Sequence, residues 1–117
     1  SVTNFGYTFY NNSLTSIPSG LFDNNASVTS FDRTFGGNDD LQIPSDVFPV
    51  TTAYWEDRNV DFTSMFERSG TFGGTQGTAP ALWTIDFGTG TIDSTDVFAG
   101  HDSSSLSNYG DIPAGWR

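Results

Sequence analysis

A chain of 117 residues is one domain's worth of polypeptide, and its net charge of −10, from 14 acidic against 4 basic side chains, weighs against nucleic acid or an anionic membrane as partner. The absence of cysteine excludes a disulfide framework and a thiolate metal site, and no apolar run approaches the roughly 20 residues of a membrane-spanning helix. Eleven phenylalanines in a chain only 35% hydrophobic predict a core built largely of Phe rings, while the Gly, Ser, Thr, Asn and Asp remainder fits the tight polar turns of a secreted or surface protein.

In chain order, the first signal is an internal correspondence. Val2, Phe5 and Phe9 return as Val28, Phe31 and Phe35, and Ile17, Pro18, Leu21 and Phe22 return as Ile43, Pro44, Val47 and Phe48, each 26 residues on. A period in this range predicts a solenoid, in which one unit buries its apolar face only against its neighbours. Val2 to Phe9 then reads as the second half of a unit, so the chain is expected to be the C-terminal part of a longer array. Phe5 and Phe9, like Phe31 and Phe35, are four apart and predict a short helical turn with both rings on one face. Leu14 to Pro18 predicts a short strand ended by Pro18, and Asn24 and Asn25 a turn.

Residues 36–40, GGNDD, with Leu41 and Ile43 following, are similar to one turn of the Gly- and Asp-rich repeat that binds calcium in parallel β-rolls. The motif occurs once, and the equivalent stretch a period earlier is Tyr10-Asn11-Asn12-Ser13. Calcium takes about six to eight oxygen ligands, so a plain turn with two solvated acids is the favoured reading. Phe66 then follows Phe35 by 31 residues, which places an insertion of about five in Pro49 to Asn59. That loop carries Tyr54, Trp55, Glu56, Asp57 and Arg58. Aromatic area beside charged groups is the chemistry of a recognition patch, and these five are the candidate ligand-binding residues. The alternative is a Trp folded back over the side of the array. Pro80-Ala81-Leu82-Trp83 and Ile112 to Trp116 are worn echoes of IPSGLF. The expected organisation is therefore repeat units over 1–48, a degenerate unit with the inserted loop over 49–69, and a Gly-rich connection and C-terminal cap over 70–117.

Catalytic groupings are weak. His101 is the only histidine and stands beside Asp102 and Ser103 to Ser105, but adjacency in a Ser-rich turn is not the convergence a triad needs, and no GxSxG elbow is present. Glu56 and Glu67, with Asp57 or Asp61, offer a carboxylate pair of the glycosidase kind. His101, Asp102 and Asp96 offer a weak metal set. The expectation is no catalytic residue, no metal and no cofactor.

The unit LTSIPSGLFDNNASVTSFDRTF resembles the BspA-like bacterial surface leucine-rich repeats, and residues 77–117 resemble the segment that closes such arrays. The resemblance implies an α/β repeat fold: a leucine-rich-repeat solenoid with short strands on one face, short helical or 3-10 turns on the other, and an irregular C-terminal cap. It further implies a surface protein or phage tail-fibre-like protein, extracellular on a bacterium or a virion. The implied role is non-enzymatic adhesion, with a cell-surface glycan or protein as partner and Thr15, Ser16 and Gln42 on the concave face. Relatives often carry Cys where Asn11, Asn12 and Val97 stand here. Competing roles are a structural cap or oligomerisation tip, joined to further repeats or to copies of itself, and, more remotely, a glycan hydrolase. Burial of Trp55, Trp83 and Trp116 would favour the structural role; Tyr54 and Trp55 in solvent would favour recognition.

Overall fold

The computed structural model describes residues 2–68 and 76–117. Its architecture grows from one local device that opens four parallel turns. Asn4, Ser30, Asp61 and Asp93 each turn a side-chain oxygen onto the backbone N–H two residues on, at Gly6 (2.6 Å), Asp32 (3.4 Å), Thr63 (2.8 Å) and Thr95 (3.0 Å). Short polar side chains close such turns because their acceptor reaches the backbone without strain. Three residues after each of them the chain kinks through the left-handed region, at Tyr7 (φ 58°), Arg33 (52°), Ser64 (52°) and Asp96 (54°).

The four turns lie side by side and parallel. Asn4 bridges Ser30 and Ser30 bridges Asp61, while strand β1 (Val60–Asp61) pairs with β2 (Ile92–Asp93), Val60 opposite Ile92 and Asp61 opposite Asp93. Alternate N–H groups of one turn donate to carbonyls of the next. Phe5, Tyr7, Phe9 and Asn11 reach Ser30, Asp32, Thr34 and Gly36; Phe31, Arg33, Phe35 and Gly37 reach Asp61, Thr63, Met65 and Glu67; Phe62, Ser64, Phe66 and Arg68 reach Asp93, Thr95, Val97 and Ala99. All lie between 2.7 and 3.0 Å. This pairing sets the spacing of the side chains.

Two columns of rings follow from that spacing. Phe9, Phe35, Phe66 and Phe98 stack at centroid separations of 5.4, 5.7 and 5.7 Å with planes within 8° of parallel. Phe5, Phe31 and Phe62 form the second column, at 6.2 and 5.8 Å. Ser94 stands where a fourth ring would, and Trp116 comes in from the end of the chain to 6.3 Å from Phe62. Phe22, Phe48, Trp55 and Phe87 fill the other side of the core, with Phe22 stacked on Phe48 at 5.1 Å and Trp55 wedged edgewise between Phe48 and Phe62. Aromatic pairs in such arrangements contribute about 0.5–1.5 kcal/mol each beyond area burial.

The expected α/β leucine-rich-repeat solenoid is not what forms. The molecule is a small compact globule of 37 × 27 × 22 Å. Its regular elements among the described residues are the two-residue strands β1 and β2, one helix of four residues (α1, Thr52–Trp55) and short 3-10 turns at Leu82–Thr84, Tyr109–Asp111 and Ala114–Trp116. Helical and strand faces do not separate, because the side-chain-closed turn and the left-handed kink interrupt the backbone after one or two extended residues. For the same reason Phe5 and Phe9 are carried by a kinked turn rather than a helix. Leu14 to Pro18 yields a single bridge, Ser16 to Gln42, instead of a strand. Of the Gly-rich stretch expected to end the array, 69–75 lies outside the described residues, while Gly77, at φ 87°, bridges Ile43.

Close approach of neighbouring turns is enforced at Gly100, where φ is 82° and an added Cβ would sit 1.9 Å from the Arg68 carbonyl oxygen. At Gly110 an added Cβ meets nothing within 4 Å. Gly100→Ala is therefore expected to lose at least about 3 kcal/mol, through backbone collision plus left-handed strain, against less than about 1 kcal/mol for Gly110→Ala. Urea titration of the two variants checks this, and comparable midpoints would show that the turns can separate at no cost.

Candidate functional site

The inserted loop turns inward. Trp55, at the end of α1, is fully buried, its indole N–H donating to the Pro49 carbonyl at 2.6 Å. Tyr54 is half-buried and donates its hydroxyl to the Phe22 carbonyl at 2.5 Å. Arg58 lies over both rings, 4.9 and 4.7 Å from their centroids, and donates to the Tyr54 and Val28 carbonyls. It acts as a strap holding the loop against the second turn. Asp57 is exposed, and its Oδ1 accepts from the Thr89 N–H and hydroxyl at 3.0 and 2.8 Å, bonds that hold its carboxyl below the usual range. Glu56 is exposed beside Gly88. The five residues are close in space, but the aromatic area that made them a recognition patch faces the core. Trp116 is buried as well, and Trp83 packs half-buried against it and Phe98.

The GGNDD segment is a brace. Asn38 is buried; its Oδ1 accepts from the Asn12 and Leu14 N–H groups at 3.1 and 2.8 Å, and its Nδ2 donates to the Phe9 and Phe35 carbonyls at 2.8 and 2.9 Å. No group of three or more His, Asp or Glu side chains is placed to hold a metal ion among the described residues, which covers both this segment and Asp96, His101 and Asp102. Glu67 lies against Gly36 and 3.9 Å from Arg33, on a different turn from Glu56. Thr15, Ser16 and Gln42 are exposed at the Ser16 to Gln42 bridge.

His101 and Ser105 do meet, Nδ1 to Oγ at 3.1 Å, but both are buried, and the second ring nitrogen lies 2.8 Å from the Phe66 carbonyl. That nitrogen must carry the proton, so Nδ1 accepts from the serine hydroxyl; this is the polarity of a nucleophile and its base, but the second ring nitrogen is held by a backbone carbonyl rather than a carboxylate, and both groups are closed off from solvent. Asp102 does not reach the ring; its Oδ1 accepts from Ser104 and from the Ser105 N–H. The cluster ties the last turn to the one before it.

One open concavity lies outside the motifs. A shelf of about 570 Å³ runs across the parallel bridges, lined by Thr29, Asn59, Val60, Asp61, Thr91, Ile92 and Asp93. Asn59 accepts from the Thr91 N–H and hydroxyl, both at 3.0 Å, and the Thr95 hydroxyl donates to Asp93 at 2.7 Å, which holds that carboxyl below the usual range. Ile92 stands among these groups 38% exposed. The recurrence of a short polar residue at 4, 30, 61 and 93 is the signal that could have marked this face.

No family model, no curated protein and no solved structure matches the chain.

Two outcomes follow from these placements. Trp55→Ala is expected to cost about 3–5 kcal/mol by emptying a filled aromatic site. An unchanged melting temperature would place the ring outside the core. Burial, assisted by the charge of Arg68, holds the His101 imidazole below its ordinary value. A depressed base is neutral in the fold, so its contribution is complete above the ordinary histidine value of about 6.5 and is lost as pH falls through the folded value. The urea midpoint of the native chain is expected to drop between about pH 7.5 and pH 5.5, with a smaller drop for His101→Gln. Parallel pH profiles would show that the imidazole ionises without penalty.

Proposed function

We propose that the protein is a non-enzymatic binding module that takes a neutral, hydroxyl-rich ligand of the cell-surface glycan kind on the shelf across β1 and β2. The observation that carries this reading is the lining itself: Thr29, Asn59, Asp61, Thr91 and Asp93 around the exposed Ile92. Carboxylate, amide and hydroxyl groups match the donors and acceptors of a sugar, and an aliphatic side chain among them suits its C–H face. Capping a turn uses only part of a carboxylate's roughly four acceptor sites, so Asp61 and Asp93 retain capacity for a ligand. Their charge disfavours an anionic glycan. The Gly, Ser, Thr, Asn and Asp content of the turns supports an extracellular setting. Burial of His101 and Ser105 supports the non-enzymatic part, since no substrate reaches them.

The reading moves the contact away from Tyr54 to Arg58. It is tested by binding to an array of neutral and anionic glycans. Ile92→Asp is expected to weaken the neutral interaction at least about tenfold with the melting temperature held. Undiminished binding by that variant would remove the shelf from the interaction. A second reading, a structural tip, is favoured by the burial of Trp55 and Trp116, and binding to no glycan or cell surface would leave it in place.

A further inference from the structure

We infer that the C-terminal segment from Ile112 to Arg117 is a stopper that keeps this chain from stacking head to tail on a second copy of itself. Between successive turns the same interface repeats: four alternate N–H groups donate to four alternate carbonyls, and rings stack within 5.4–5.7 Å. At the first turn the carbonyls equivalent to those acceptors belong to Asn4, Gly6, Thr8 and Tyr10, and none accepts a hydrogen bond from a described residue. The rings beside them, Phe5 and Phe9, are half-buried. This end is an acceptor edge with an open aromatic surface.

The last turn is its complement. The donors equivalent to Phe62, Ser64, Phe66 and Arg68 are the N–H groups of Ser94, Asp96, Phe98 and Gly100. Those of Ser94, Asp96 and Gly100 have no partner among the described residues, and Asp96 and Gly100 are exposed. Only the Phe98 N–H is taken, by the Trp116 carbonyl at 2.8 Å, with the indole 6.3 Å from Phe62 and 6.4 Å from Trp83. Trp116 thus occupies the centre of a donor edge that would otherwise meet the acceptor edge of another copy in the register already used three times inside the molecule. Two copies could not use their acceptor edges on each other, since carbonyls would face carbonyls, so the permitted association is heterologous and does not close. A tail that fills one end of such an interface prevents growth. The net charge of −10 opposes the same association at a distance.

The test uses the 117-residue chain carrying Trp116→Ala, followed by light scattering across a concentration series in buffer with enough salt to screen the net charge. The expected result is at least a doubling of weight-average mass with concentration while the native chain stays constant. Adding native chain, whose acceptor edge is open and donor edge stopped, should shorten the variant's assemblies by terminating them. Phe9→Asp in the same background should abolish them. A variant that stays folded and monomeric overturns the proposal. So does association that native chain fails to shorten, which is unspecific aggregation. Loss of the folded near-ultraviolet signal overturns it too, because the segment would then be core rather than a separable stopper.

Discussion

Everything in this molecule depends on how a turn hands its backbone donors to the next one. Alternate N–H groups meet alternate carbonyls across three successive junctions, and that spacing brings Phe9, Phe35, Phe66 and Phe98 into one column. Neither half would persist alone. Strands of two residues have too few ladder bonds to hold together, and a Phe column without fixed backbones would collapse into many packings of similar energy. Together they specify one arrangement. The side chains of Asn4, Ser30, Asp61 and Asp93 set the start of each turn by occupying a donor that the ladder cannot reach.

The same constraint decides which surfaces remain for function. Most aromatic side chains go into the columns or against them, Tyr7 and Tyr10 standing exposed against each other on the first turn, and Arg58 is spent on strapping the inserted loop down. What faces outward across the bridges is the polar start of each turn with an occasional aliphatic neighbour, hence the shelf of Thr29, Asn59, Asp61, Thr91, Ile92 and Asp93. His101 follows the same rule from inside. Its two ring nitrogens serve Ser105 and the Phe66 carbonyl, joining the last two turns where the ladder alone would leave a polar seam.

Much of the core was legible in the sequence. The 26-residue offset put Phe5 with Phe31 and Phe9 with Phe35, and the shift to 31 found Phe66; these are the rings that stack. The backbone that carries them was not legible. A spacing of four is shared by a helix and by a kinked turn, and the left-handed positions are Tyr7, Arg33, Ser64 and Asp96, four residue types with none of them glycine. Only tertiary hydrogen bonding holds such side chains there, so local propensity points elsewhere. Trp55 was ambiguous because a Trp beside Glu, Asp and Arg reads alike whether it faces water or the core; the Pro49 carbonyl that takes its N–H decides the matter. Trp116 was seen as an echo of IPSGLF. That it stands in for the ring missing at Ser94 depends on a fold-back invisible in one dimension.

The most direct measurement is native-state hydrogen exchange resolved to single amides along the four turns. If the donor ladder between ring-bearing turns is the organising interaction, Arg33, Phe35, Ser64 and Phe66 exchange only through global opening. Phe98 is protected by the Trp116 carbonyl, whereas Ser94, Asp96 and Gly100 exchange fast. Uniformly fast exchange at Phe35 and Phe66, or protection at Asp96 and Gly100 equal to theirs in the monomer, would contradict it.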